Sequence, residues 1–133
     1  MLVTFCEACS LVSVLFSCLG LAFKFAELEY VAKLQDLLEA SKSHQTLLHV
    51  LDFDIMNDTV KTQGSHTRNL RRVRQGIDLV RTMFENSISS NDNSLKEPDQ
   101  TADKMMRRYI RASAPVIEYI DSLYVSRRIS LDW

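Results

Sequence analysis

Apolar residues recur at three- and four-residue spacing over most of this chain, the signature of helices that each bury one face. The first apolar stretch, from Thr4 to about Phe25, reads as a helix loosened near Gly20. Beyond it, Leu28, Val31, Leu34, Leu37 and Leu38 continue a broad apolar face, with Glu29, Lys33, Asp36 and Glu39 at polar positions. Ser41-Lys42-Ser43 breaks the pattern and offers an N-cap. Leu47, Leu48, Leu51, Ile55, Met56 and Val60 then predict an amphipathic helix over about Ser43 to Thr62, with Gly64 as its C-terminal cap. Ser65 or Thr67 can cap the next helix, whose seam of Leu70, Val73, Ile77, Val80 and Phe84 runs to about Ile88. The polar stretch Ser89 to Asp103, with Pro98, reads as a linker, long for a connection inside a compact domain. Helicity resumes near Lys104, and Ala114-Pro115 divides what remains, because the residue before a proline avoids the helical region. Pro115 suits the first turn of a final helix, which Val116, Ile117, Ile120, Leu123 and Tyr124 bury. Two prolines and three glycines in 133 residues fit an all-α protein.

A second seam runs beside the main one on the helix after Gly64: Arg68, Arg72, Gly76, Leu79 and Met83. Two seams on one helix mean two neighbours, one of them the core. Arg68 and Arg72 are four apart and so share a face. Two guanidinium forks side by side suit a phosphate, and the small or apolar residues below them suit a greasy body attached to it. The other reading is a solvated basic stripe.

Composition narrows the choice. The net charge is -1, from 16 basic and 17 acidic residues, so nothing global draws the chain to nucleic acid or to an anionic membrane. Arg68, Arg71, Arg72 and Arg74 crowd together without stacking aromatics, which speaks against a nucleic-acid partner. The length suits one domain with a modest core. Cys6, Cys9 and Cys18 all lie in the first apolar stretch; the odd count gives no disulfide framework, and Cys6-x-x-Cys9 has no second pair to complete a metal site. Both read as small buried side chains. Glu7, Lys24 and three serines interrupt that stretch, which favours a buried helix over a membrane span or signal peptide. No nucleophile–base pair or Gly-rich phosphate loop is present, so no catalytic residue, metal or cofactor is assigned.

Several stretches together resemble one family: Ala8 to Ser13, Ala22-Phe23-Lys24-Phe25-Ala26-Glu27, Tyr30-Val31-Ala32-Lys33, Gly64-Ser65-His66-Thr67-Arg68-Asn69-Leu70, Asn93 to Lys96, Ser113-Ala114-Pro115 and the final Leu131-Asp132-Trp133. The chain resembles the glycolipid transfer protein superfamily, in the ceramide-1-phosphate branch and its plant accelerated-cell-death type. The resemblance implies a two-layer all-α sandwich over residues 1–133 that holds a sphingolipid's chains between its layers. It implies a carrier, not an enzyme, that moves a phosphosphingolipid between membranes, visits membrane surfaces transiently from the cytosol and bears on programmed cell death. It carries the head-group lysine onto Lys33 and the two arginines onto Arg68 and Arg72; the family's aspartate position is Glu29, one methylene longer. Leu79 and Met83 become contacts for the lipid chains.

The same resemblance marks departures. The family's first helix has no counterpart, and an internal helical segment with the head-group histidine is missing; His66 occupies a different motif position. The sandwich is then incomplete, and about 89–103 would be a deletion scar. Burying one large apolar side chain stabilises by roughly 1.5–3 kcal/mol against a net stability of about 5–15 kcal/mol. Lost helices therefore bear on folding, and exposed faces invite self-association. The alternative function is a transfer-defective helical remnant that binds membranes or a protein partner.

Overall fold

The structure, a computed structural model, describes residues 2–17, 24–92 and 100–133. Among them are five helices: α1 (Leu2–Ser17), α2 (Lys24–Ala40), α3 (Leu47–Met56), α4 (His66–Asp92) and α5 (Gln100–Ser126). They form the all-α two-layer arrangement. The pairs α1–α2 and α4–α5 meet where α2 lies on α4, and α3 packs against α4 and α5.

Each pair is antiparallel. On α1, Leu2, Cys6 and Cys9 form one buried stripe at helical spacing. Leu2 shares a surface hollow with Ser41 and His44, just past the end of α2, while the Cys9 carbonyl accepts a hydrogen bond from the Tyr30 hydroxyl at 3.0 Å. On the second pair, Asp121 meets Arg74, and Tyr109, twelve residues earlier, donates to the Ile77 carbonyl at 3.0 Å. The main seam of α4 is buried as its spacing predicts: Leu70, Val73, Ile77 and Val80 are at most 3% exposed, and Phe84 packs against them. Ile117, Ile120, Leu123 and Tyr124 of α5 meet that seam in the core. The Tyr124 hydroxyl donates to the Thr67 carbonyl, tying the end of α5 to the first turn of α4.

Several boundaries differ from the sequence reading. The apolar stretch from Thr4 to Phe25 is not one helix: α1 ends at Ser17 and α2 starts at Lys24, folding back so that Cys9 reaches Tyr30. The loosening expected at Gly20 lies outside the described residues. α3 is shorter than Ser43 to Thr62. Ser41 and Ser43 donate their hydroxyls to the Leu38 and Ala40 carbonyls and so finish α2; Thr46 is the cap, accepting from the His49 amide at 3.2 Å. Asn57 ends α3, and its backbone N–H donates to the Phe53 carbonyl at 3.1 Å. Gly64, with φ of 88°, belongs to the turn that enters α4. Ile55 and Met56 are exposed, because Val50, Leu51 and Asp54 take the inner face of α3.

Pro115 does not divide α5, which runs through it. The proline removes the bond to the Arg111 carbonyl, but both residues lie on the exposed side, where water can serve that carbonyl, while Ser113 and Ile117 stay buried on the other. The linker is also narrower than Ser89 to Asp103, since α4 reaches Asp92 and α5 begins at Gln100.

Candidate functional site

Asp36 joins α2 to α4. Its Oδ2 accepts from the Asn69 side-chain amide at 2.8 Å and pairs with His66 Nδ1 at 2.6 Å. Six residues before Asp36, Tyr30 lies towards Tyr109, whose own partner is Ile77, well along α4 from Asn69. α2 and α4 are therefore antiparallel, so moving one turn back from Asp36 and one turn on from Asn69 goes the same way. At about 3.6 residues per turn, the first step reaches Lys33 and the second Arg72. Helical periodicity also leaves Glu29 and Lys33 on the Asp36 flank of α2, and Arg72 and Gly76 on the Asn69 flank of α4.

Lys33 Nζ meets Glu29 Oε2 at 3.0 Å; Lys33 is 27% exposed and Glu29 76%. Arg68 Nη1 donates to the Lys61 carbonyl at 3.0 Å, and its backbone N–H is taken by Ser65 Oγ, the cap of α4, at 3.2 Å. Arg72 Nη1 donates to Gln75 Oε1 at 2.7 Å. Arg68 and Arg72 are partly exposed, and neither has a carboxylate partner among the described residues. Along their line Gly76 and Met83 are partly exposed and Leu79 is open, and Phe25 and Leu28 are open on α2. Two guanidinium groups without a carboxylate partner among the described residues thus lie on α4 one turn apart, Arg72 at the level along the helix seam that the register gives Lys33, with partly or fully exposed apolar residues further along both helices. Such an arrangement can hold a doubly charged phosphate and shelter an attached chain.

The other two arginines of the cluster have a different task. Arg71 is buried: Nε donates to the Trp133 carbonyl at 3.2 Å, Nη2 to the Leu131 carbonyl at 2.6 Å and Nη1 to Asp121 at 3.3 Å. Arg74 forms a forked pair with Asp121 at 2.9 and 2.8 Å and also meets Asp78 at 3.3 Å; its hydrogen bonds to Asp121 hold the guanidinium charged. Together they lock the chain end onto α4. Spacing alone separates Arg68 and Arg72 from Arg71 and Arg74, but the partner, some fifty residues away, leaves no local signal.

Sequence reasoning also missed Asp54, which is 3% exposed on α3. Its Oδ2 accepts the Thr67 backbone N–H at 2.8 Å, one of the free donors in the first turn of α4, and its Oδ1 accepts from the Thr59 hydroxyl at 2.8 Å. Asp54 and Asp36 thus fix the start of the helix that bears Arg68 and Arg72. A carboxylate between apolar residues on a short helix was the available signal. Cys6 and Cys9 are buried and unpaired, and burial pushes the Cys9 thiol up to about 12, which suits the core role expected of them. Among the described residues no cluster of His, Cys, Asp and Glu could hold a metal ion, and no helix is long and apolar enough to cross a membrane.

Comparison with known proteins places the fold. Residues 1–109 match the model of the glycolipid transfer protein family. An Arabidopsis thaliana protein described as a homologue of accelerated cell death 11 is 48% identical over 170 aligned positions, covering 97% of this chain and 74% of the relative. Arabidopsis accelerated cell death 11 itself is 42% identical over 171 positions, covering 97% and 83%. An aspartate-to-alanine variant of the latter, crystallised with C12 ceramide-1-phosphate, superposes with a TM-score of 0.88 at 38% identity over 99% of this chain and 87% of that one. Its apo form gives 0.82 at 38% identity over 94% and 86%. The all-helical two-layer arrangement is shared with these solved structures, and this chain belongs to the glycolipid transfer protein family. The alignments span 170 and 171 positions against 133 residues, so both relatives carry internal stretches without a counterpart here.

Proposed function

We propose that this protein binds a sphingolipid of the ceramide-1-phosphate kind and carries it between membranes, without catalysis. The observation that carries the reading is the pair Arg68 and Arg72, one turn apart and without acidic partners, level with Lys33 through the Asp36–Asn69 register. In this reading Arg68, Arg72 and Lys33 hold the phosphate, Glu29 orients Lys33 and accepts from the lipid's amide, and the chains run past Leu79 and Met83. The accelerated cell death 11 variants crystallised with C12 ceramide-1-phosphate support the choice of ligand. The family's internal segment is taken to have been lost within about 89–103 of a single domain, and the carrier works from the cytosol with transient visits to membranes.

The test is transfer of a fluorescent ceramide-1-phosphate from donor to acceptor vesicles. The proposal expects transfer above the spontaneous rate, and faster than that of a neutral sphingolipid. Attachment to vesicles with no net movement of lipid would contradict it.

A further inference from the structure

A second group of cations without acidic partners among the described residues lies on α5, away from the proposed head-group residues on α2 and at the start of α4. On α5, Lys104, Arg108 and Arg111 follow one another at helical spacing and are all exposed. None has an acidic partner among the described residues, although the chain as a whole is slightly acidic. Neighbouring Arg107 is held by Asp103 at 2.8 Å. Met105, 62% exposed, stands within the same stretch. Arg107 and Arg111 also form one wall of an open cleft of about 710 Å³ between α4 and α5, with Arg81 opposite and Ile88 and Ile110 among its apolar lining. Glu85 is the acid in that cleft, and Arg81 meets it at 3.9 Å.

We propose that this half of α5 is where the protein docks on an anionic lipid bilayer, with Lys104, Arg108 and Arg111 on the head groups and Met105 entering the interface. Charge complementarity selects the partner: three unneutralised cations along one helical stripe fit a surface of negative head groups and have no protein anion to serve. The apolar elements select a membrane over a nucleic acid. A face for single-stranded nucleic acid pairs its cations with open aromatic rings, whereas Tyr109, the aromatic of this stretch, packs edge-on against Phe84 and donates its hydroxyl to Ile77, and the open side chain among these cations is the apolar Met105. The inference rests on the proposed visits to membranes and is independent of which lipid is carried.

Each basic residue near an anionic membrane contributes about fivefold to binding, so three contribute about a hundredfold. The experiment is co-sedimentation of the full chain, without cargo lipid, on phosphatidylcholine vesicles with and without phosphatidylglycerol. The expected result is binding that requires the anionic lipid, weakens with salt, and drops about a hundredfold in the Lys104→Gln/Arg108→Gln/Arg111→Gln variant. Lys42→Gln, an exposed cation past the other end of α2, should leave it unchanged. The three positions are exposed on a helix and glutamine is helix-compatible, so an unchanged circular dichroism melt certifies the fold. Binding that ignores anionic lipid, survives the triple change, or appears with an oligonucleotide and not with vesicles would overturn the proposal.

Discussion

Asp36 on α2 and Asn69 on α4 are joined by a 2.8 Å hydrogen bond, and the same carboxylate oxygen holds His66 at 2.6 Å. This junction sets the level of Lys33 against Arg72. Asp36→Ala strands two donors in a partly buried interface, so it should lower stability by about 1–3 kcal/mol. Ceramide-1-phosphate binding should also weaken, although Asp36 is outside the proposed head-group set. Lys33→Ala should weaken binding with almost no change in melting temperature, since the pair it breaks is worth about 0.3–0.5 kcal/mol. Thermal unfolding and lipid titration of both variants check the difference.

Neighbouring arginines should respond in opposite ways. Arg71→Ala removes a buried guanidinium that binds two carbonyls of the chain end and Asp121. Its cost should be about 3 kcal/mol, the lower end for a broken buried ion pair, because Arg74 still neutralises Asp121. Arg68→Ala loses one exposed bond to Lys61 and should stay within about 0.5 kcal/mol of the parent. Chemical denaturation separates them.

The contrast shows how far the sequence reaches. The seam Leu70, Val73, Ile77, Val80 is legible because periodicity is a local property and the core enforces it. Arg68 and Arg72 are legible as a pair for the same reason, and the family resemblance supplies Glu29 and Lys33. What is not legible is long-range satisfaction: Asp121 for Arg71, Asp54 for the Thr67 amide, Asp36 for Asn69. Competing caps misplace α3, since Ser43 and Thr46 are both good candidates and only the burial of Leu47 and Val50 decides. Pro115 misleads because local preference points to a break, while the buried face of α5 continues across it.

Cys9 should resist thiol reagents. With its thiol pushed up to about 12 by burial, only about one molecule in ten thousand carries the reactive thiolate at pH 8. Peptide mapping after brief iodoacetamide treatment should find Cys9 unmodified in the native protein and modified in denaturant. Equal labelling in both would place α1 away from α2.

Acid should remove the contribution of the Asp52–Arg127 pair, which ties α3 to the residue after α5 at 2.6 Å. The hydrogen bond from Arg127 holds the Asp52 carboxyl below its ordinary value. A depressed folded value means the stabilisation is present above about pH 4 and is lost as pH falls through the folded value. The melting-temperature gap between the parent and Asp52→Asn should therefore be open at neutral pH and close in strong acid.

The most direct test of the carrier account is Arg72→Ala, because that side chain bonds only to Gln75 among the described residues and can be removed without disturbing the core. A charge-assisted contact is worth about 1.5–3 kcal/mol, so affinity for ceramide-1-phosphate should fall by roughly 10- to 100-fold while affinity for ceramide, which lacks the phosphate, changes little. Equal losses for the two lipids, or no loss for either, would contradict it.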